Sequence, residues 1–215
     1  MKVYEYGNPN ADIVLLQPIG EHDLGSLENE VSLITELGQQ DFRWIGFQVE
    51  DWNKDLSPWG SPAVFGKDDF GEGAADTLDE ILKYCGDPDK TYYLGGYSLA
   101  GLFALWAVYQ TSVFGGIAAA SPSMWFPGFD DYMVTHELKS THIYLSLGDK
   151  EEKTRNPVMR TVGDKIRATH AGLEAKNVDC ILEWNRGNHF KEPDLRTAKG
   201  FAWLINRNGY GKYKK

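Results

Sequence analysis

The stretch Gly96-Tyr97-Ser98-Leu99-Ala100-Gly101 is the part of this sequence best equipped for chemistry. It sets a serine among small residues, after the strand-like Tyr92-Tyr93-Leu94 and at the start of an apolar helical run. That is the pattern of a nucleophile elbow, a sharp strand-to-helix turn that exposes a serine oxygen. The small residues have a steric reason: a bulky side chain two positions either side of the serine would strike the neighbouring strand or helix. The second small position is Ala100 here, with glycine one residue later. A helix N-terminus behind the serine favours negative charge. Alone the pattern is weak, because a serine that only caps the helix reads the same way.

A serine nucleophile needs a base, and in elbow enzymes the chain order is serine, acid, histidine. Four histidines lie downstream: His136, His142, His170 and His189. His142 opens a strand and His170 falls inside a helix. His189 sits in Asn185-Arg186-Gly187-Asn188-His189-Phe190, directly after the last strand, and is the expected base. The acid should follow the preceding strand, where the chain reads Leu147-Gly148-Asp149-Lys150-Glu151-Glu152. Strand-end loops of such hydrolases commonly read Gly-x-x-(Asp or Glu), which favours Glu151, with Asp149 second and Glu152 third. An oxyanion hole would use the Leu99 amide and one from the loop Gln17-Pro18-Ile19-Gly20. Pro18 has no N–H, so Ile19 is expected, then Gly20. Trp52, Trp59, Trp125 and Phe126 are candidate pocket walls.

The elements that must hold these residues alternate between strand and helix. Ile13–Leu16, Arg43–Val49, Tyr92–Leu94, Gly116–Ala120, Ile143–Leu147 and Asp179–Trp184 read as strands. Leu27–Leu37, Gly73–Tyr84, Leu99–Tyr109, Pro157–Ala175 and a segment from about Asp194 to Asn206 read as helices. Leu99–Tyr109 is apolar almost all round and should be buried. This alternation predicts an α/β fold: one domain over residues 1–215, a mostly parallel central sheet and helices on both faces. Ligands of such sheets bind at the carboxyl ends of the strands. Glu50–Glu72 is the longest segment without periodicity; its Trp52, Trp59, Phe65 and Phe70 either line a site or anchor the loop.

With 42% hydrophobic and 25% charged residues among 215, the chain can build a real core. Its net charge of −9 argues against nucleic acid and against an anionic membrane surface as partners. The lysine-rich end, Gly211 to Lys215, reads as a solvated tail. Cys85 and Cys180 stand apart from any metal-ligand spacing and read as free thiols, with a single disulfide as the alternative. No signal-peptide core and no apolar run of membrane-spanning length is present, so a cytoplasmic protein is expected.

The sequence resembles the esterase D-like family, in its branch near enterobactin-type esterases. The resemblance rests on Gln17-Pro18 with Glu21-His22-Asp23, Asp51 to Trp59, Phe70 to Ala74, Gly95 to Gly101, Ser121-Pro122-Ser123-Met124-Trp125-Phe126, Gly148 to Asn156, and Gly187-Asn188-His189-Phe190. These stretches span most of the chain in family order. The resemblance implies an α/β-hydrolase fold without a large lid domain, and ester hydrolysis with no metal and no organic cofactor. Gln17-Pro18 replaces the more usual His-Gly type of oxyanion loop, so a catecholate-siderophore substrate is not implied.

The expected function is therefore hydrolysis of a small carboxylic ester through an acyl-enzyme on Ser98. Three other readings remain open at this level. An acyltransferase would share the acyl-enzyme, and a hydrolase-fold binding protein would not react. A metal enzyme would use His22, Asp23 and His189, but these lack close ligand spacing.

Overall fold

A computed structural model describes residues 1–211, with side chains described as far as Arg207. The lysine tail, from Gly211 onward in the sequence reading, lies outside the described residues apart from the backbone of Gly211. In chain order the elements are β1 (Lys2–Gly7), β2 (Ile13–Ile19), α1 (Leu27–Leu37), β3 (Arg43–Gln48), α2 (Trp52–Asp55), α3 (Ala74–Leu82) and β4 (Thr91–Tyr97). Then follow α4 (Leu99–Gln110), β5 (Phe114–Ala120), α5 (Phe129–Thr135), β6 (His142–Gly148), α6 (Val162–Ala175), β7 (Asp179–Asn185) and α7 (Pro193–Gly211).

The strands form one seven-stranded sheet in the order β1-β3-β2-β4-β5-β6-β7. Only β1 runs antiparallel, pairing with β3 from Lys2↔Gln48 to Gly7↔Arg43. The other pairs are parallel, so all their carboxyl ends lie on one edge of the sheet. The loops after β4, β6 and β7 therefore converge there, and the chain enters α4 with no spacer beyond Ser98.

Each face of the sheet carries its own apolar core. On one face α3, α4, α5 and α6 pack over the strands through Leu78, Ile81, Phe103, Phe129 and Ile166. On the other, α1 and α7 pack through Leu27, Ile34, Phe201 and Ile205 against Leu15, Trp44 and Tyr93. In α4 every residue from Leu99 to Tyr109 is buried, as an all-round apolar helix requires. Four elements depart from the sequence reading, the short α2 inside the Glu50–Glu72 segment among them. β1 is polar and half exposed, so it has no apolar run to reveal it. α5 lies within an aromatic stretch that shows no period. The Pro157–Ala175 segment opens with a tight turn at Met159–Thr161 before α6 begins.

The long Glu50–Glu72 segment is built around α2 and a bridge between Ser61 and Phe70. Its aromatics anchor it: Trp59 packs against Phe126, Phe129 and Tyr132, and its Nε1 donates to Pro127 O at 3.0 Å. Both cysteines are free, and burial pushes the Cys85 thiol up to about 12, out of nucleophilic range. No helix among the described residues is long and apolar enough to cross a membrane.

Candidate active site

Ser98 is held at φ +58° and ψ −118°, a conformation an L-residue adopts only when its surroundings impose it. The constraint is visible in the backbone. Ser98 N–H donates to Ala120 O at 3.0 Å, and Ser98 O accepts from Ser123 N–H and Leu102 N–H. The small flanking residues are sterically necessary. A Cβ on Gly96 would lie 2.6 Å from the Ala100 methyl, and one on Gly101 would lie 3.0 Å from Gly96 O and 3.1 Å from Ala120 O. Ala100 is thus accommodated because Gly96 leaves room for its methyl.

The turn points Ser98 Oγ at the loop after β7. His189 Nε2 lies 3.0 Å from Ser98 Oγ, and His189 Nδ1 lies 2.7 Å from Glu151 Oε2. Ser123 Oγ stands 3.3 Å from Ser98 Oγ on the other side. Of the three carboxylates after β6, the structure brings Glu151 to the histidine and sends the others elsewhere. Asp149 accepts from Gly187 N–H at 2.7 Å, and Glu152 pairs with Arg167 at 2.8 Å.

Glu151 is buried, with 4% of its side chain exposed, and its environment is built for the charged form. Burial pushes its carboxyl up. The hydrogen bond and charge of His189, the Ser121 hydroxyl and the Gly148 amide outweigh that, and hold it below the ordinary carboxylate value. Oε1 accepts from Ser121 Oγ at 2.8 Å, Gly148 N at 2.7 Å and Arg196 Nη1 at 2.8 Å, which leaves Oε2 to the imidazole. Sequence reasoning missed Arg196. It lies on α7 one turn before the buried Gly200, on the face that α7 turns to the sheet.

Two expectations about the site are corrected by the geometry. Ile19 ends β2 in register with Gln48, and its carbonyl accepts from Val49 N–H at 3.0 Å. In a parallel ladder both peptide groups of one residue face the same neighbour, so the Ile19 amide faces β3, on the far side of β2 from Ser98. The reserve candidate, Gly20, spends its N–H on Asp23 Oδ2 at 2.8 Å. Gln17 is likewise structural: it accepts from Trp44 Nε1 at 3.2 Å, beside the buried Glu30 carboxyl, which burial pushes well up. The Leu99 amide, by contrast, opens α4 beside the serine.

The second correction concerns the pocket. A cavity of about 440 Å³ flanks the histidine, lined by Pro122, Trp125, Met159, Val162 and Phe190 with Lys150 and Lys153. Of the four predicted wall residues only Trp125 lines it. Phe126 is fully buried, Trp59 anchors the long loop, and Trp52 stacks edge-on against His22 beside a different cavity. His22, Asp23 and His189 do not assemble either: no cluster of three or more metal-ligating side chains occurs among the described residues.

No family model matches the sequence. No curated protein matches it either. Solved structures do resemble it. An IroE-like serine hydrolase from Shewanella oneidensis matches with a TM-score of 0.76 at 16% identity, over 94% of this chain and 75% of that one. The siderophore hydrolase EstA from Aspergillus nidulans matches with a TM-score of 0.64 at 20% identity, over 92% and 83%. The enterobactin esterase FES from Shigella flexneri matches with a TM-score of 0.67 at 14% identity; 96% of this chain covers 55% of that one. At such identities the likeness speaks for architecture. Together with the sheet order and the turn at Ser98, it shows that this chain has the α/β-hydrolase fold, with no large lid among the described residues.

Proposed function

We propose that this chain is a serine-dependent carboxylic-ester hydrolase that works through an acyl-enzyme on Ser98. The observation that carries the reading is the continuous chain of contacts Ser98 Oγ–His189 Nε2–Nδ1–Glu151 Oε2, at 3.0 and 2.7 Å. Ser98 attacks the ester carbonyl while His189 takes its proton. Glu151 holds the imidazole in the tautomer that accepts at Nε2, and stabilises the imidazolium that forms. The Leu99 amide meets the developing oxyanion at the head of α4. His189 then protonates the leaving alcohol, and later activates the water that releases the acid. A fluorophosphonate probe should add once per chain, with the adduct on the peptide carrying Ser98 by mass spectrometry. A wild-type protein left unlabelled would favour a non-catalytic binding role instead.

The substrate we propose is a small ester with an anionic group. The flanking cavity holds two lysines and only one carboxylate, Glu151, whose oxygens are both engaged. Lys83, Lys165 and Lys199 each pair with an acid, whereas Lys150 and Lys153 have no ion-pair partner among the described residues. In a chain of net charge −9 this local excess draws anions to the site. Two such contacts, each worth about 0.5–1 kcal/mol at a solvated surface, amount to roughly a tenfold preference. A carboxylate-bearing aryl ester should show about that advantage in kcat/KM over its neutral isostere. Replacing both lysines by glutamate should reverse it while hydrolysis of the neutral ester persists. The net charge of −9 fits neither nucleic acid nor an anionic membrane as partner, and we propose that the protein is cytoplasmic.

A further inference from the structure

We infer that Arg196 is a positioning residue of the catalytic site, one that locks Glu151 and the His189 loop into a single unit. The inference rests on the hydrolase reading and adds a fourth member to its machinery. Arg196 sits on α7 with 1% of its side chain exposed, the most deeply buried cation in an ion pair among the described residues. Its contacts reach all three strand-end segments that make the site. Nη1 donates to Glu151 Oε1 at 2.8 Å, to Ser121 Oγ at 3.1 Å and to Tyr97 Oη at 3.1 Å. Nη2 donates to Asn188 O at 3.0 Å, one residue before the histidine. Tyr97 Oη in turn donates to His189 O at 2.7 Å. Burial pushes that phenol up to about 12, with the Glu151 charge beside it, so it stays a neutral donor. One guanidinium thus fixes the carboxylate, the residue before the nucleophile, and the main chain of the base.

The arrangement is poorly explained as a stability device alone. Arg196 Nε finds no acceptor among the described residues, and a buried ion pair gains little over an apolar replacement of both partners. What it does supply is orientation. With Oε1 occupied by three donors, Oε2 is the only carboxylate oxygen free to meet His189 Nδ1, in a fixed direction.

The test compares kcat and KM of wild type, Arg196→Met and Arg196→Lys on one neutral ester. In Arg196→Met kcat should fall about 30-fold or more, with KM within about threefold of wild type. Arg196→Lys keeps the charge but cannot span Glu151 and Asn188 together. It should therefore still lose about tenfold in kcat at an unchanged KM. The lysine variant decides the matter if the methionine variant does not fold. A loss in Arg196→Met that falls on KM rather than kcat, or a lysine variant within twofold of wild-type kcat, overturns the inference. Neither result touches the hydrolase reading, which stands or falls separately on labelling of Ser98.

Discussion

Replacing Ser98 by alanine should reduce ester turnover by about 10⁵-fold or more, to the level left by binding and the oxyanion donor alone. The fold should survive. Ser98 contributes hydrogen bonds to His189 and Ser123, but the turn itself is held by backbone bonds to Ala120, Ser123 and Leu102. A second comparison separates geometry from chemistry. Ser98→Gly is equally dead, yet it removes the Cβ that makes φ +58° costly. It should be about 1 kcal/mol more stable than Ser98→Ala, or roughly 2–4 °C in Tm for a chain of this size. Thermal unfolding of the two inactive variants measures this directly. Equal melting temperatures would show that the turn is not strained, and turnover near wild type in either would remove Ser98 as nucleophile.

The second large effect is expected from Glu151→Gln. All three groups that meet Oε1 are donors, so the new amide must direct its oxygen at them and its NH₂ at His189 Nδ1. That forces Nδ1 to accept, places the ring proton on Nε2, and leaves the histidine unable to take the Ser98 proton. The cost should be about 10³–10⁴-fold in kcat at neutral pH. Stability should fall by about 3 kcal/mol, since the Arg196 charge loses its buried partner. The wild-type carboxyl has a matching signature in acid. Its value is lower folded than unfolded, so its stabilisation is fully present above the unfolded value of about 4.3. That stabilisation drains away as the pH falls below this value and through the folded one. Glu151→Gln should flatten that limb of the stability profile; an unchanged acid limb would show that the carboxylate is not held as a charge.

Much of this was legible before any coordinates. β2, β4 and β6 are short apolar runs with glycine at or just beyond their ends, and α4 is apolar all round, so these elements show in the residue pattern. Ser98 and His189 stood out because each directly follows a strand, and strand ends converge by topology. What stayed hidden depended on facing and register. Ile19 looked suited to donate because its loop is in the right place, but the ladder pairing to β3 consumes its peptide, and sequence does not display ladder direction. Trp59 and Phe126 looked like pocket walls because they are aromatic and near the site. Their rings instead pack against each other at 5.6 Å, and only Trp125 beside them turns to the cavity. Arg196 escaped notice because an arginine on a helix is ordinarily a solvated one.

The placement of Arg196 on α7 has a consequence for the order in which activity can arise. Ser98, Glu151 and His189 all precede α7 along the chain, and the sheet pairs without it. Yet the guanidinium that ties their loops together arrives with that helix, which docks on the face opposite α4. A folding intermediate with a complete sheet but an undocked α7 would carry a serine and a histidine with nothing to hold them in line. Catalytic competence should then appear late during refolding, in step with burial of Trp203 on α7 rather than with formation of the sheet. On the hydrolase reading, a newly made chain should thus stay inert toward esters until its fold is closed.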